Sequence, residues 1–124
     1  MLVNEMHIPE GLPVDGYGPG FFRVDGQLYD GGVLVGQGRV QSWAGPQEDA
    51  PLSALAGQID VLLVGTGDSL TPLPGGLQPR LEAAGLGVEI MSSPSAARSY
   101  NVLLSEGRRV AVALVPVTAA GMGR

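Results

Sequence analysis

The 124-residue chain contains no cysteine and no lysine, and it has only one tryptophan, three tyrosines, two phenylalanines and one histidine. The absence of cysteine excludes disulfides and thiolate chemistry, and it fits a reducing compartment. The absence of lysine excludes a Schiff-base lysine and the lysine of a P-loop. The single histidine, His7, has no second histidine and no acid at a ligand spacing, so we expect neither a metal site nor a Ser-His-Asp triad.

Positive charge and long apolar runs are also scarce. The seven basic residues are all arginine, and twelve acidic residues give a net charge of -5. Because no basic face accumulates that could neutralise phosphates, we expect no nucleic-acid partner. No run of about 18 uncharged apolar residues is present, and the first residues lack the pattern of a signal peptide. We therefore expect a cytoplasmic protein without a membrane span.

Glycine and proline, by contrast, are abundant, with twenty and ten residues respectively. They lie between apolar runs and not in one low-complexity tract, which indicates many tight turns. The length fits one compact core. We predict a single domain over residues 1–124, with an irregular entry at residues 1–15 and a frayed tail at residues 118–124.

The pattern of apolar residues changes along the chain. Residues 21–44 contain short β-rich runs separated by turn residues such as Asp25-Gly26 and Gln37-Gly38, which predicts antiparallel strands. The second half alternates strand and helix, with strands at 59–64, 88–91 and 109–117 and helices at 77–84 and 95–105. Strands separated by helices favour parallel pairing, so the sequence predicts an α/β fold of mixed α+β character, with helices packed on a mixed sheet.

A family resemblance is carried by the segment MSSPSAARSYNVLLSEGRRVAVALVPV, together with GYGPGFFRVDG at residues 16–26 and DVLLVGTGD at residues 60–68. Its most specific element is Arg98, then residues 100–104 (YNVLL) and 106–110 (EGRRV). With these residues the chain resembles the small domain family that includes mitochondrial respiratory complex I assembly factor 3 and uncharacterised bacterial and archaeal proteins. The match extends from about residue 8 to residue 116.

The resemblance implies a three-layer domain with a central mixed β-sheet flanked by helices, a small additional antiparallel β layer, and no established catalytic activity. The chain departs from the usual family pattern at two places. Members commonly show Met-Asp-Thr and an Ala-Cys pair before the arginine, where this chain has Met91-Ser92-Ser93 and Ala96-Ala97.

A glycine-rich loop follows the apolar run at residues 59–64, and it could hold a phosphate or form only a turn. A dinucleotide-binding fingerprint needs a third glycine where Leu70 stands, and a helix that begins at once. Here Pro72 and Pro74 delay the helix N-terminus that would hold the pyrophosphate. We therefore predict a structural turn after a central strand and no cofactor.

A weaker alternative is a small polar pocket at the carboxyl edge of the sheet, where open α/β sheets bind ligands. Arg98 and Asn101 share one helix face and could bind a carboxylate or phosphate. The structural alternative, which we favour, is that Arg98 pairs with an acid and Asn101 bonds to a loop backbone. The candidate ligand-binding residues are Gly65, Thr66, Gly67, Asp68, Ser69, Ser92, Ser93, Arg98 and Asn101.

Two functions follow from these patterns. The first is a non-enzymatic domain that binds another protein, either a subunit of a respiratory or membrane-associated complex or a second copy of itself. The second is a small-molecule or anion binder, or a modest enzyme, that uses the sheet-edge pocket. We favour the first and assign no catalytic residue. The aromatic residues of the first half form the contact face if they are exposed together and the core if they are not: Tyr17, Phe21, Phe22, Tyr29 and Trp43.

Overall fold

The computed structural model describes residues 11–122, and these residues form eight strands and four helices. In the first half the strands are β1 (Val14–Gly18), β2 (Phe21–Val24), β3 (Gln27–Asp30), β4 (Val33–Gly36) and β5 (Arg39–Ser42). The remaining elements are α1 (Ala50–Ser53), β6 (Val61–Gly65), α2 (Leu77–Ala83), β7 (Gly87–Met91), α3 (Ser93–Ser105), β8 (Val110–Leu114) and α4 (Ala119–Met122).

The strands form two sheets. The smaller sheet is antiparallel with the order β1-β2-β3, and the main sheet has the order β5-β4-β8-β6-β7. In the main sheet β6 is parallel to both β7 and β8, whereas β4 is antiparallel to β5 and β8. The predicted mixed sheet and the small antiparallel layer are both confirmed.

Two tight hairpins in the first half follow from local backbone chemistry. Asp25 and Gly26, between β2 and β3, have φ angles of 49° and 83°, and Gln37 and Gly38, between β4 and β5, have φ angles of 56° and 72°. A two-residue turn with positive φ at both positions matches the right-handed twist of the flanking strands. The Asp25-Gly26 and Gln37-Gly38 pairs thus fix the register of their hairpins.

The main sheet is buried on both faces. One face packs against α3 and the small sheet, through a cluster that includes Phe22, Leu63 and Tyr100. The opposite face packs against the α1 and α2 segments, through a cluster that includes Leu52 and Leu81. The alternating side chains of the central strands therefore serve two cores, and the molecule has the three layers that were expected.

Four aromatic residues of the first half pack in these cores: Tyr17, Phe22, Tyr29 and Trp43. Phe22 and Trp43 are buried, and Tyr17, Phe21 and Tyr29 are half-buried. These five residues therefore do not form an exposed aromatic contact face.

The two longer helices begin and end close to the predicted positions. α2 contains Pro79 in its first turn, where the missing N–H has no intrahelical partner to lose, and Gly85 follows the helix with a φ of 98°. α3 begins two residues earlier than predicted, because Ser92 is its N-cap and accepts a hydrogen bond from the Ser95 N–H.

Three predicted boundaries are wrong. The segment predicted as irregular up to residue 15 already contains the start of β1, which is held by pairing with β2 and not by an apolar pattern of its own. The strand predicted to reach residue 117 ends at Leu114, because its parallel partner β6 ends at Gly65. In the tail predicted to fray, residues 119–122 form α4. His7 lies outside the described residues.

Candidate functional site

The candidate pocket lies where β6 and β7 end. Because these strands are parallel, the loop after Gly65 and the Ser92-Ser93 turn emerge at the same edge of the main sheet. The two loops are in direct contact: the Ser93 N–H donates to the Gly67 carbonyl at 2.8 Å, and the Gly67 N–H donates to Ser93 Oγ at 2.9 Å. The parallel pairing of β6 and β7 thus places these two loops side by side.

Ser93 is the centre of this contact. Its side chain is fully buried, and its hydroxyl donates to the Val115 carbonyl at 2.6 Å while it accepts the Gly67 N–H. The Val115 N–H in turn donates to the Gly65 carbonyl at 2.9 Å. One hydroxyl therefore joins the loop after β6, the first turn of α3 and the end of β8, with both its donor and an acceptor site in use.

The two glycines of the loop have steric reasons to be glycine. A Cβ on Gly65 would lie 2.7 Å from Ser93 Cα and 2.8 Å from Leu114 Cδ2, and Gly67 has a φ of 103°. Neither position tolerates an ordinary side chain. Close packing against the start of α3 therefore requires glycine at position 65, and the positive φ favours glycine at position 67.

Two further polar side chains of the loop, Thr66 and Asp68, bond within the protein. Thr66 Oγ1 donates to the Ser69 carbonyl at 2.7 Å and accepts the Thr71 N–H at 2.9 Å, which closes the loop on itself. The Asp68 carboxylate accepts the Thr118 N–H at 2.8 Å and also the Thr118 hydroxyl. Asp68 and Thr118 are fifty residues apart in the sequence, so no local pattern predicted this tie.

Asn101 points away from the loops and onto the small sheet. Its Oδ1 accepts the Val14 N–H at 2.9 Å, and its Nδ2 donates to the Val14 carbonyl at 2.8 Å. Both functions of the amide are therefore used on one strand residue. The structural alternative predicted a backbone partner of this kind, although it placed that partner in a loop.

Arg98 is exposed on α3, and its Nη2 donates a hydrogen bond of 3.4 Å to Ser95 Oγ. The salt bridges within residues 11–122 join Arg80 to Asp49 and Arg109 to Asp60, so the predicted acid partner of Arg98 is not found among these residues. The structure thus separates Arg98 from Asn101: one faces solvent and the other faces β1.

Tyr100 strengthens the contact between α3 and the segment that precedes β1. Its side chain is fully buried, and its hydroxyl donates to the Leu12 carbonyl at 2.8 Å. Burial raises the pKa of Tyr100 to about 12, because the phenolate would have to lose its hydration. Tyr100 and Asn101 together hold residues 12–14 against α3.

The chemistry available in the described part of the chain is limited. No group of three or more histidine, aspartate or glutamate side chains in residues 11–122 could hold a metal ion. The buried hydroxyls of Ser93 and Tyr100 donate to backbone carbonyls. Within residues 11–122, the Thr66, Asp68 and Ser93 side chains of the candidate pocket are hydrogen-bonded to other groups of the protein. No helix in residues 11–122 combines the length and the apolar character needed to cross a membrane.

These features define a three-layer mixed α/β domain whose polar edge is bonded internally. The chain belongs to the family described as "Protein of unknown function (DUF498/DUF598)", whose model matches residues 14–115. It is 55% identical over 120 residues to an uncharacterized protein of Rhodobacter capsulatus, and the match covers 97% of each chain.

A second relative carries a functional name. The NADH dehydrogenase (ubiquinone) 1 alpha subcomplex assembly factor 3 of Danio rerio is 30% identical over 113 residues, which cover 86% of this chain and 65% of that protein. This chain thus spans somewhat less than two thirds of that assembly factor. The resemblance drawn from the YNVLL and EGRRV motifs is confirmed.

A solved structure shares the fold. The crystal structure of a protein from Bartonella henselae, described as an outer membrane protein, superimposes with a TM-score of 0.79 at 33% identity, and the match covers 90% of this chain and 99% of that one. The architecture read from the sequence is therefore also that of an experimentally determined relative.

Proposed function

We propose that this chain is a non-enzymatic, assembly-factor-like domain that acts by binding a protein partner in a respiratory or other membrane-associated complex. The observation that carries the proposal is the 30% identity to complex I assembly factor 3 over 86% of the chain. It also rests on the scarcity of catalytic groups, because the hydroxyls of Thr66 and Ser93 and the carboxylate of Asp68 are engaged in hydrogen bonds within the protein.

Three large apolar side chains in the described residues are exposed, and each lies on a different element: Leu28, Leu70 and Val102. Exposed apolar side chains are common in partner contacts, although single ones are ordinary on any surface. They provide the positions at which a partner contact can be mapped without disturbing the core. Val102 is the most informative of them, since it lies within the YNVLL motif that carries the resemblance.

The proposal is tested by affinity purification of the tagged chain from its native cell after mild crosslinking, with identification of the proteins that co-elute. We expect a subunit or an assembly intermediate of a membrane-associated complex. Val102→Ser, Leu28→Ser and Leu70→Ser are compared with Ala120→Ser, an exposed control position in α4. Recovery of the chain alone, with and without crosslinking, would contradict the proposal.

A second candidate function is that of an anion binder at the edge formed by residues 65–69, Ser92, Ser93 and Arg98. The observation in its favour is the exposed guanidinium of Arg98, which has no acid partner in residues 11–122. A thermal-shift screen with nucleotides and organic acids tests it. A ligand-dependent rise in the melting temperature that Arg98→Ala removes would support the site, and a screen without hits would count against it.

A further inference from the structure

Strand β5 is an outer strand of the main sheet, with β4 as its neighbour on one side. The Trp43 N–H donates to the Gly32 carbonyl, so residue 43 faces β4. Because antiparallel pairing alternates, Arg39 and Gln41 also direct their backbone groups toward β4, and Val40 and Ser42 direct theirs away from the sheet. In the part of the chain that the structure describes, no hydrogen bond engages these outward N–H and C=O groups.

The next outward N–H along the edge, that of Ala44, has a hydrogen-bond partner. The Ala44 N–H donates to Glu48 Oε1 at 2.7 Å, so the Glu48 carboxylate lies on the outer margin just beyond the C-terminal end of β5. The open part of the edge therefore consists of Val40 and Ser42. It is bounded by Arg39 at its start and by the Glu48 carboxylate past its end.

Two side chains of opposite charge flank the open edge: Arg39 at the start of β5 and Glu48 beyond its C-terminal end. Arg39, Gln41 and Glu48 are exposed, and they line the same open groove of about 480 Å³, whose apolar wall comes from α1 residues and their neighbours. Neither Arg39 nor Glu48 takes part in a salt bridge within residues 11–122. A cation therefore lies at one end of the edge and a carboxylate beyond the other, and neither is in a salt bridge within residues 11–122.

We propose that the outer edge of β5 binds a second copy of this chain, through antiparallel pairing of the two β5 strands about a two-fold axis. If Gln41 lies at the axis, Val40 of each copy pairs with Ser42 of the other, and all the outward groups of these residues are used. The same register brings Arg39 of one copy beside the residue 43–44 margin of the other, where the Glu48 carboxylate lies. An isologous contact uses each such charge pair twice.

Charge favours this occupant over an unrelated strand. A chain with a net charge of -5 repels its own copies at long range, but that repulsion is screened within about 10 Å at ordinary ionic strength. At contact distance the two Arg39–Glu48 pairs are attractive. The paired segment is only four residues long, so we expect a weak dimer, at the small end of specific interfaces. This contact is independent of the proposed assembly function.

Sedimentation velocity and light scattering of the full chain, from about 10 µM to about 1 mM, test the proposal. We expect the average mass to rise from 12.7 kDa toward twice that value. Arg39→Glu and Glu48→Arg should each weaken the dimer by about tenfold or more, because each homodimer then opposes like charges. A mixture of the two variants should restore association, since each heterodimer again pairs opposite charges. Arg108→Glu makes the same charge change at an exposed position outside β5, and it should have no effect.

Several outcomes would overturn the proposal. A mass that stays at 12.7 kDa up to about 1 mM excludes the dimer. A dimer that survives both charge reversals uses another face, and so does a dimer that Arg108→Glu disrupts equally. If a charge reversal unfolds the chain, Ser42→Pro removes one outward donor, and dimerisation that persists in this variant excludes pairing at β5. Chains that stay monomeric but bind an extended peptide at this edge would assign the edge to a different protein.

Discussion

The edge strands β1 and β5 both direct backbone groups away from their sheets, but the structure treats the two edges differently. At β1, the side chain of Asn101 bonds to both the N–H and the C=O of Val14, as a further strand would. At β5, the outward groups of Val40 and Ser42 have no such cover within residues 11–122. Proteins usually protect the edges that they do not use for contacts. The difference indicates that β1 is held for stability and that β5 is available for association.

Removing the Asn101 side chain, which covers the edge of β1, tests this difference most directly. Asn101→Ala leaves the N–H and C=O of Val14 without partners at a partly buried position, and it should lower the free energy of unfolding by about 2 kcal/mol. The melting temperature should fall by roughly 8 °C. Differential scanning calorimetry measures both quantities.

Arg98→Ala is the matched control for this change, because Arg98 lies one turn earlier on α3 and is exposed. We expect its free energy of unfolding to stay within about 0.5 kcal/mol of the unmodified chain. Equal melting temperatures for Asn101→Ala and the unmodified chain would show that the cover of β1 contributes nothing to stability.

A smaller effect is expected at the neighbouring tie. Tyr100→Phe removes the hydrogen bond to the Leu12 carbonyl and should cost about 1 kcal/mol at neutral pH. The folded-state pKa of Tyr100, about 12, lies above the ordinary value of about 10. The fold thus favours the neutral phenol, and this contribution is complete below about pH 10 and lost as the pH rises from about 10 to about 12.

Urea denaturation at a series of alkaline pH values checks the direction of this pH dependence of stability. The unmodified chain should lose stability over that window more steeply than Tyr100→Phe, so the difference between the two should shrink. Parallel curves would mean that Tyr100 titrates alike in the folded and unfolded states, and that its burial does not hold the entry segment.

The sequence predicts the parts of this fold that depend on local chemistry. The continuous apolar run at residues 59–64 predicts a strand that is buried on both faces, and the Gln37-Gly38 pair predicts a tight hairpin. Ser92 is a residue type that favours N-caps, and it caps α3. These signals lie within a few residues of the structure that they determine, so one sequence is enough to detect them.

The hydrogen bonds that shape the candidate site join residues far apart in the sequence, so local sequence patterns do not predict them. The Val14–Asn101 pair spans 87 residues, and the Asp68–Thr118 pair spans 50. Ser93 lies in the first turn of α3, yet its hydroxyl bonds to two backbone segments that are distant in the sequence. The same residue types would look identical in a ligand site, so only the three-dimensional contacts show that these groups are engaged.

The smallest stability effect is expected at the open edge, and it sharpens the comparison most. In Ser42→Pro the lost N–H points away from β4, so the ladder is intact and the free energy of unfolding should change by less than about 1 kcal/mol. Gln41→Pro, one residue earlier, removes an N–H that faces β4 and should cost about 3 kcal/mol. Denaturant unfolding at low protein concentration measures both in the monomer. Because the two variants carry the same substitution at adjacent positions of one strand, a similar loss in both would mean that the outward groups of β5 are already engaged, and the edge would then resemble β1.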